Sequence, residues 1–302
     1  MWFILIILLC IYVLVNIDFD SSVKTYNREY SKLYDTIWND ENRYKAEVKY
    51  ILLNVGEKQL DSILDIGCGT GNHIKFWKET CPSSIITGMD TSFSQLAKLR
   101  EKHPNVNIVH GNFLDGRVWL SNTFDMIVCM YGAGQYTSKV KTLLKNVYTW
   151  LKPGGIFVFH GIDPDRLCDG CHQTASNTSL PMRVDHKGHC NVLYPNLIYS
   201  SWWNKSMFSN WVRYNETFYT IHGNEWTSDW DVSNKVGKNV PIGAVKNGNL
   251  MTNGHNLYLL PPSRIMKMGR DVGFGKVTKD PVLGITGIRD QGSEEYFIFF
   301  KK

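Results

Sequence analysis

Ser62-Ile-Leu-Asp-Ile-Gly-Cys-Gly-Thr-Gly-Asn-His73 is the stretch that decides the fold of this 302-residue chain. Ile63, Leu64 and Ile66 make a short apolar run that reads as a buried strand. Asp65 sits inside the run, two residues before the turn Gly67-Cys68-Gly69-Thr70-Gly71. Glycines at alternate positions permit a sharp bend and let the backbone approach a ligand with no Cβ in the way. A helix beginning near Asn72 brings free N–H groups and the positive end of its dipole to the same spot. An acid just ahead of such a turn favours a cationic or donor-rich ligand over a pyrophosphate.

Outward from this turn, strand and helix patterns alternate. Strands are expected at Ser62–Ile66, Ile85–Met89, Val106–His110, Phe124–Met130 and Ile156–His160, with helices at Asn72–Glu79, Ser92–Lys102 and Val140–Leu151. Lys152-Pro-Gly-Gly155 reads as the turn into the fifth strand. The pattern breaks after Asp163, where Leu197–Trp203 and Trp211–Thr220 alternate like antiparallel strands. It resumes with a helix at Pro262–Val272 and strands at Gly275–Lys279 and Glu295–Lys301. The predicted class is α/β: a doubly wound, mainly parallel seven-stranded Rossmann-like sheet carrying a β-rich cap insertion. Ligands of such sheets bind at the carboxyl ends of the strands. Upstream, Tyr30, Leu33, Tyr34, Ile37 and Trp38 fall on one helical face, followed by Tyr44, Val48, Ile51 and Leu52. The expected division is therefore residues 1–19 as a membrane anchor, 20–57 as lid helices, 58–163 with 256–302 as the ligand-binding domain, and 164–255 as the cap.

The anchor rests on residues 2–17, which are apolar on every face and so unlike a surface helix. As a helix they span about 24 Å, a little under a hydrocarbon core of about 30 Å. With no basic n-region and no small-x-small cleavage site, a single-pass N-terminal transmembrane helix is expected over a removed signal. Lys24, Arg28 and Lys32 follow the run and none precedes it, which puts the remaining chain in the cytosol. Sequons at Asn177, Asn204 and Asn215 argue for the opposite side.

Thirty-three basic and 28 acidic residues leave a net charge of +5 with no basic stripe, so nucleic acid is not an expected partner. Seven cysteines, an odd number, read as reduced structural thiols. Cys168-Asp-Gly-Cys171-His172, with His186, His189 and Cys190 downstream, could hold a structural zinc or could be polar loop residues; no metal enters the expected site.

Five motifs stand in order: Leu64-Asp-Ile-Gly-Cys-Gly-Thr-Gly71, Met89-Asp90, Gly111-Asn112-Phe113, Phe124-Asp-Met-Ile-Val-Cys-Met130 and Leu151-Lys-Pro-Gly-Gly155. On them the chain resembles, over residues 26–302, the class I S-adenosylmethionine-dependent methyltransferases. The resemblance implies S-adenosylmethionine as cofactor, held by Asp65, Gly67, Gly69, Gly71, Asp90, Asn112, Phe113 and Met130. A carboxylate at Asp90, nineteen residues past Gly71, suits the two ribose hydroxyls of any adenosine. Asp65 suits the methionyl ammonium, and Asn72 stands where a dinucleotide site wants glycine. The family commonly has Asp at the place of Asn112, which keeps an acceptor but not the charge.

Within that family the chain is similar to small-molecule N-methyltransferases that dimethylate nucleotide-linked amino sugars. Tyr30-Ser-Lys-Leu-Tyr34-Asp-Thr-Ile-Trp38 ahead of Tyr44 and Glu47, Cys129-Met130-Tyr131, and the stranded insertion carry that likeness. It implies a small-molecule acceptor, with nitrogen favoured over oxygen. The group's histidine after the fourth strand is missing; the local order is Gly134-Gln135-Tyr136-Thr137. Methyl transfer from a sulfonium is an in-line displacement governed by alignment and water exclusion, with a base needed only for one proton. His160, with Asp163 behind it, is the candidate base or a rim histidine without a chemical role. Tyr34 and Tyr136 are candidates for positioning or for packing. A nicotinamide-dependent oxidoreductase and a non-catalytic binding protein of the same fold are the rival classes. No oligomeric state is read from the sequence.

Overall fold

The computed structural model describes residues 25–56, 58–167, 182–184, 190–194, 197–205, 209–220, 250–282 and 295–302. Numbered in chain order over these residues, five strands precede the insertion: β1 (Ser62–Ile66), β2 (Ile85–Asp90), β3 (Asn107–His110), β4 (Phe124–Cys129) and β5 (Leu151–Ile162). Five lie within it: β6 (Met182–Val184), β7 (Cys190–Tyr194), β8 (Leu197–Lys205), β9 (Trp211–Thr220) and β10 (Leu250–Tyr258). Two follow, β11 (Lys276–Pro281) and β12 (Glu295–Lys301). The helices are α1 (Arg28–Ile37), α2 (Glu41–Val55), α3 (Asn72–Thr80), α4 (Phe93–Lys102), α5 (Val140–Trp150) and α6 (Pro262–Val272).

One sheet has the order β11-β12-β5-β4-β1-β2-β3. Strands β1 to β5 pair in parallel, whereas β12 runs antiparallel to both β5 and β11. The sheet is thus mixed. Two neighbours need a crossover helix only if they are parallel, and no helix of the described residues separates β11 from β12. Strand β4 is buried at every residue, as expected of a central strand covered on both faces. Alternate residues of β1 feed two cores. Leu64 and Ile66 face α5 and α6 through Leu143, Val147 and Ile265, while Ile63 faces α2 and α3 through Ile51 and Trp77. The stretch 152–155, expected as a turn, is a bulge instead. Leu151 pairs with Phe124 before the register shifts, and Gly154 at φ +73° absorbs the extra length.

The second sheet, β10-β9-β8-β7-β6, is antiparallel throughout. Helix α1, capped by the Asn27 side chain on Tyr30 N–H at 3.0 Å, packs Tyr30 and Ile37 against Leu197, Tyr199 and Phe218 of this sheet. Helix α2, capped by Asp40, packs on the first sheet. The N-terminal segment therefore bridges the two sheets above the carboxyl ends of β1, β2 and β4.

The expected transmembrane helix is corrected. No helix among the described residues is long and apolar enough to cross a membrane, and residues 2–17 lie outside them. The longest described helix, α2, has 15 residues, about 22 Å at 1.5 Å per residue against a hydrocarbon core of about 30 Å. Membrane attachment through residues 2–17, and the cytosolic placement read from their flanks, are dropped with it.

Candidate functional site

The glycine turn bends back under the sheet edge. Gly67 N–H donates to Met89 carbonyl at 2.7 Å, with Gly67 at φ +70°. A Cβ there would lie 2.5 Å from the Ala133 Cβ, so the turn fits only without one. Gly71, at φ +81°, starts α3, and a Cβ on it would meet Leu99 at 2.7 Å. Gly71 lines none of the cavities below; its part is to start the helix, while Gly67 and Gly69 face the open space.

Asp90 is fixed by two backbone donors. Its Oδ2 accepts from Gly69 N–H at 2.9 Å and its Oδ1 from Ser92 N–H at 2.8 Å. Each oxygen keeps a lone pair for a further donor. Burial raises its pKa, against the pull of these donors. Asp65 is more extreme. Its side chain is buried, Oδ1 has no hydrogen-bond partner among the described residues, and burial lifts its pKa to about 7 against the opposing charge of His73. A buried carboxylate left this way costs several kcal/mol, which an incoming cation would recover.

Three connected cavities open from here. The largest, an open space of about 960 Å³, is lined by Gly67, Gly69, Asp90, Asn112, Phe113 and Met130 together with Gln95 and Thr91. The Gln95 amide is buried with neither polar atom partnered among the described residues. Nothing in its local sequence singles it out. Asn112 Oδ1 already accepts from Leu114 N–H at 2.9 Å, shaping the turn after β3. A small cavity behind the turn joins Asp65, Asn72, His73 and Tyr44.

The third cavity, about 650 Å³, is walled by Tyr26, Tyr30, Tyr34, Trp38, Tyr131 and Tyr136, and is lined on the polar side by Arg43, His160, His255 and Glu295. Tyr26, Tyr34, Tyr131 and Tyr136 line both this cavity and the largest one. Tyr131 holds φ +50°, a conformation uncommon outside glycine, and Arg43 stacks over its ring at 4.6 Å. Arg43 also donates to Glu47 at 2.8 Å and pairs with Glu295. Glu47 receives His73 Nε2 at 2.7 Å. Burial opposes its ionisation, but Arg43 and His73 outweigh that and keep its pKa below the usual range.

The three residues expected to act on the acceptor are brought to this cavity in different states. His160 accepts from Tyr131 N–H through Nδ1 at 3.2 Å, and its Nε2 lies 3.3 Å from Glu295. Both ring nitrogens are engaged. Asp163, expected to orient the ring, accepts from Asp165 N–H instead; the carboxylate beside His160 comes from β12, far along the chain. Tyr34 lines all three cavities. Tyr136 bonds Tyr26 at 2.8 Å and His255 Nδ1 at 2.6 Å. Gln135, in the one-turn 3-10 helix before it, is locked to both backbone groups of Ile162 at 2.9 Å. Sequence reading missed Gln95, Arg43, His255 and Glu295. Cys68 and Cys129 are unpaired thiols whose pKa burial raises. The Cys168, Cys171, His172, His186 and His189 cluster lies outside the described residues, as does the side chain of Cys190.

Known proteins resemble this chain in sequence over part of its length and in fold. A methyltransferase domain family matches residues 63–155. The chain is 32% identical over 157 residues to malonyl-(acyl-carrier protein) O-methyltransferase of Halalkalibacterium halodurans, covering 47% of this chain and 56% of that protein. It is 28% identical over 140 residues to dTDP-3-amino-3,4,6-trideoxy-alpha-D-glucopyranose N,N-dimethyltransferase of Streptomyces venezuelae, covering 44% and 57%. The chain spans about half the length of the curated relatives it matches. The structure of SAM-bound CalS10, an amino pentose methyltransferase from Micromonospora echinaspora, matches with a TM-score of 0.64 at 14% identity over 91% of this chain and 97% of that one. At that identity the likeness is one of fold.

Proposed function

Residues 63–155 being a methyltransferase domain, we propose that the whole chain transfers a methyl group from S-adenosylmethionine to the nitrogen of a small-molecule amine. The cofactor fits the residues present. Gly67 leaves a cradle that a Cβ would fill, and among the described residues Asp65 offers a buried unpartnered carboxylate oxygen and Gln95 an unpartnered amide. Asp65 would take the ammonium, Asp90 the ribose hydroxyls, and Asn112, Phe113 and Met130 the adenine side, with Gly67 and Gly69 beneath. The bound cofactor supplies an electrophilic methyl on a sulfonium.

The observation that carries the reading is the meeting of two cavities at Tyr26, Tyr34, Tyr131 and Tyr136, one floored by the glycine turn and one walled by aromatics. Glu295 lines the aromatic cavity beside Arg43, with Glu47 behind Arg43 and Glu216 behind His255. Aromatic faces attract an ammonium group, each cation–π contact being worth about 0.5–2 kcal/mol, and Glu295 offers it a carboxylate. In this reading residues 20–57 act as the lid, 164–255 as the acceptor cap, and 58–163 with 256–302 as the cofactor domain. His160, its ring engaged on both sides, holds Tyr131 and Glu295 in place; Tyr34 and Tyr136 border the acceptor.

A second reading, methylation of a carboxylate, is favoured by the 32% identical O-methyltransferase. It is the weaker one, because a carboxylate acceptor would face Glu295 inside the cavity. The two are separated by S-adenosylhomocysteine release with panels of amines and of carboxylic acids, after calorimetry has tested cofactor binding. Binding without release from any amine would sink the proposal.

A further inference from the structure

Three polar side chains from separate elements stand in line against the aromatic cavity. Tyr136 follows the 3-10 helix after β4, Glu216 lies on β9 and His255 on the neighbouring β10. Glu216 and His255 are buried. The Tyr136 hydroxyl is 2.6 Å from His255 Nδ1, and His255 Nε2 is 2.6 Å from Glu216 Oε2. The other oxygen of Glu216 accepts from the Tyr199 hydroxyl at 2.8 Å. A carboxylate only accepts, so the ring proton belongs on Nε2. Nδ1 then accepts from Tyr136, whose oxygen accepts from Tyr26 at 2.8 Å. The line has one direction, from the cavity toward the carboxylate. Of its three members, Tyr136 alone borders both large cavities.

We infer that Tyr136, His255 and Glu216 form a proton relay that takes the acceptor's proton, an inference that rests on the amine-methylating reading above. An alkylammonium has no lone pair to attack with. Its N–H proton passes to the Tyr136 oxygen while the Tyr136 proton passes to His255 Nδ1, so one N–H bond breaks at the acceptor and one forms at the ring. The imidazolium is then held against Glu216. The freed lone pair forms the new N–C bond as the S–C bond breaks, its electrons staying on sulfur, and the ring proton leaves to solvent before the next turnover. Tyr136 is the catalytic residue, because it meets the acceptor. His255 and Glu216 act through it and are positioning residues. The groups facing the ring are Glu216 and Tyr214 from β9, Tyr136, and Tyr26 and Tyr30 from the N-terminal segment. The alternative base, His160, spends its accepting Nδ1 on the Tyr131 backbone N–H, which has no proton to pass on, and its Nε2 lies beside Glu295.

The test uses the full chain, with methylamine and D-glucosamine as acceptor probes and S-adenosylhomocysteine release as the readout, from pH 6.5 to 10.5. Tyr136→Phe, which removes one oxygen, is expected to lower kcat at neutral pH about 100-fold or more, the usual scale of general-base help. The KM for S-adenosylmethionine should stay unchanged. The deficit should narrow as pH rises toward 10.5, where about half of an alkylamine is neutral in solution. Glu216→Gln and His255→Gln should show the same pH-dependent deficit. Should either fail to fold, judged by cofactor binding, the Tyr136→Phe arm still decides. Separately, ¹⁵N resonances of His255 in the ligand-free protein should report the Nε2–H tautomer. A pH-independent loss, a loss below threefold, or a ring protonated on Nδ1 alone would overturn the relay while leaving amine methylation standing. Cofactor binding without transfer to either amine would overturn the amine reading and the relay with it.

Discussion

At the scale of single residues, the two acids beside the glycine turn, Asp65 and Asp90, differ in what surrounds them. Asp90 is held by Gly69 and Ser92 N–H groups, so Asp90→Ala removes both an acceptor and a brace. We expect S-adenosylmethionine binding to weaken by about 1.5–3 kcal/mol, read by calorimetry. Asp65 titrates near pH 7, chiefly because it is buried, with His73 and Asp90 the charges that face it. Its ordinary value lies near 4. In the free protein, the stability that the neutral carboxyl contributes is full below about pH 4 and is lost as pH rises through 7. An ammonium in contact reverses the preference. Cofactor affinity should therefore fall as pH drops below 7, by up to about tenfold per unit, and Asp65→Asn should flatten that dependence. Calorimetric titrations at pH 5.5, 6.5 and 7.5 check it.

At the scale of elements, α1 is the part whose packing and function are hardest to separate. Tyr30 is buried between α1 and β9, with its ring edge-on to Phe218 at 5.7 Å. Tyr30→Ala should cost about 3–5 kcal/mol, seen as an earlier urea midpoint. Arg43 of α2 stands between the buried Glu47 and the partly exposed Glu295, so Arg43→Ala takes the guanidinium from both carboxylates and should cost about 3–5 kcal/mol. Here the limits of sequence reading become physical. The glycine turn, Asp65 and Asp90 were legible because a strand, its turn and the next strand end lie close together along the chain. The face of α1 was legible from its 3.6-residue spacing. Tyr136 with His255, 119 residues apart, and Arg43 with Glu295, 252 apart, come together only through strand order and the second sheet. No local pattern encodes that. The bulge at 152–155 was misread because Pro-Gly-Gly has the same composition in a turn and in a bulge. Asp163 was credited with orienting His160 because it was near in sequence, whereas β12 delivers Glu295 in space.

At the scale of the whole molecule, the site draws on both ends of the described chain. Tyr26, Tyr30 and Tyr34 arrive from the start, and Glu295 from the last strand. Lys302 N–H and carbonyl pair with Gly155 and Gly154, tying that strand's end to the bulge in β5. The one strand that runs against the others, β12, sets an order of events on the ribosome. Until residues 295–301 emerge, β5 offers a bare edge of Ile156, Phe157, Val158 and Phe159 to any passing strand, and Arg43 has only one of its two carboxylates. A nascent chain stalled at Val282 should hence be recovered as aggregate, while the released polypeptide is not, when the two are compared by sedimentation after translation in vitro. Synthesis must run past residue 295 before β5 has its antiparallel partner and the aromatic cavity its Glu295 wall.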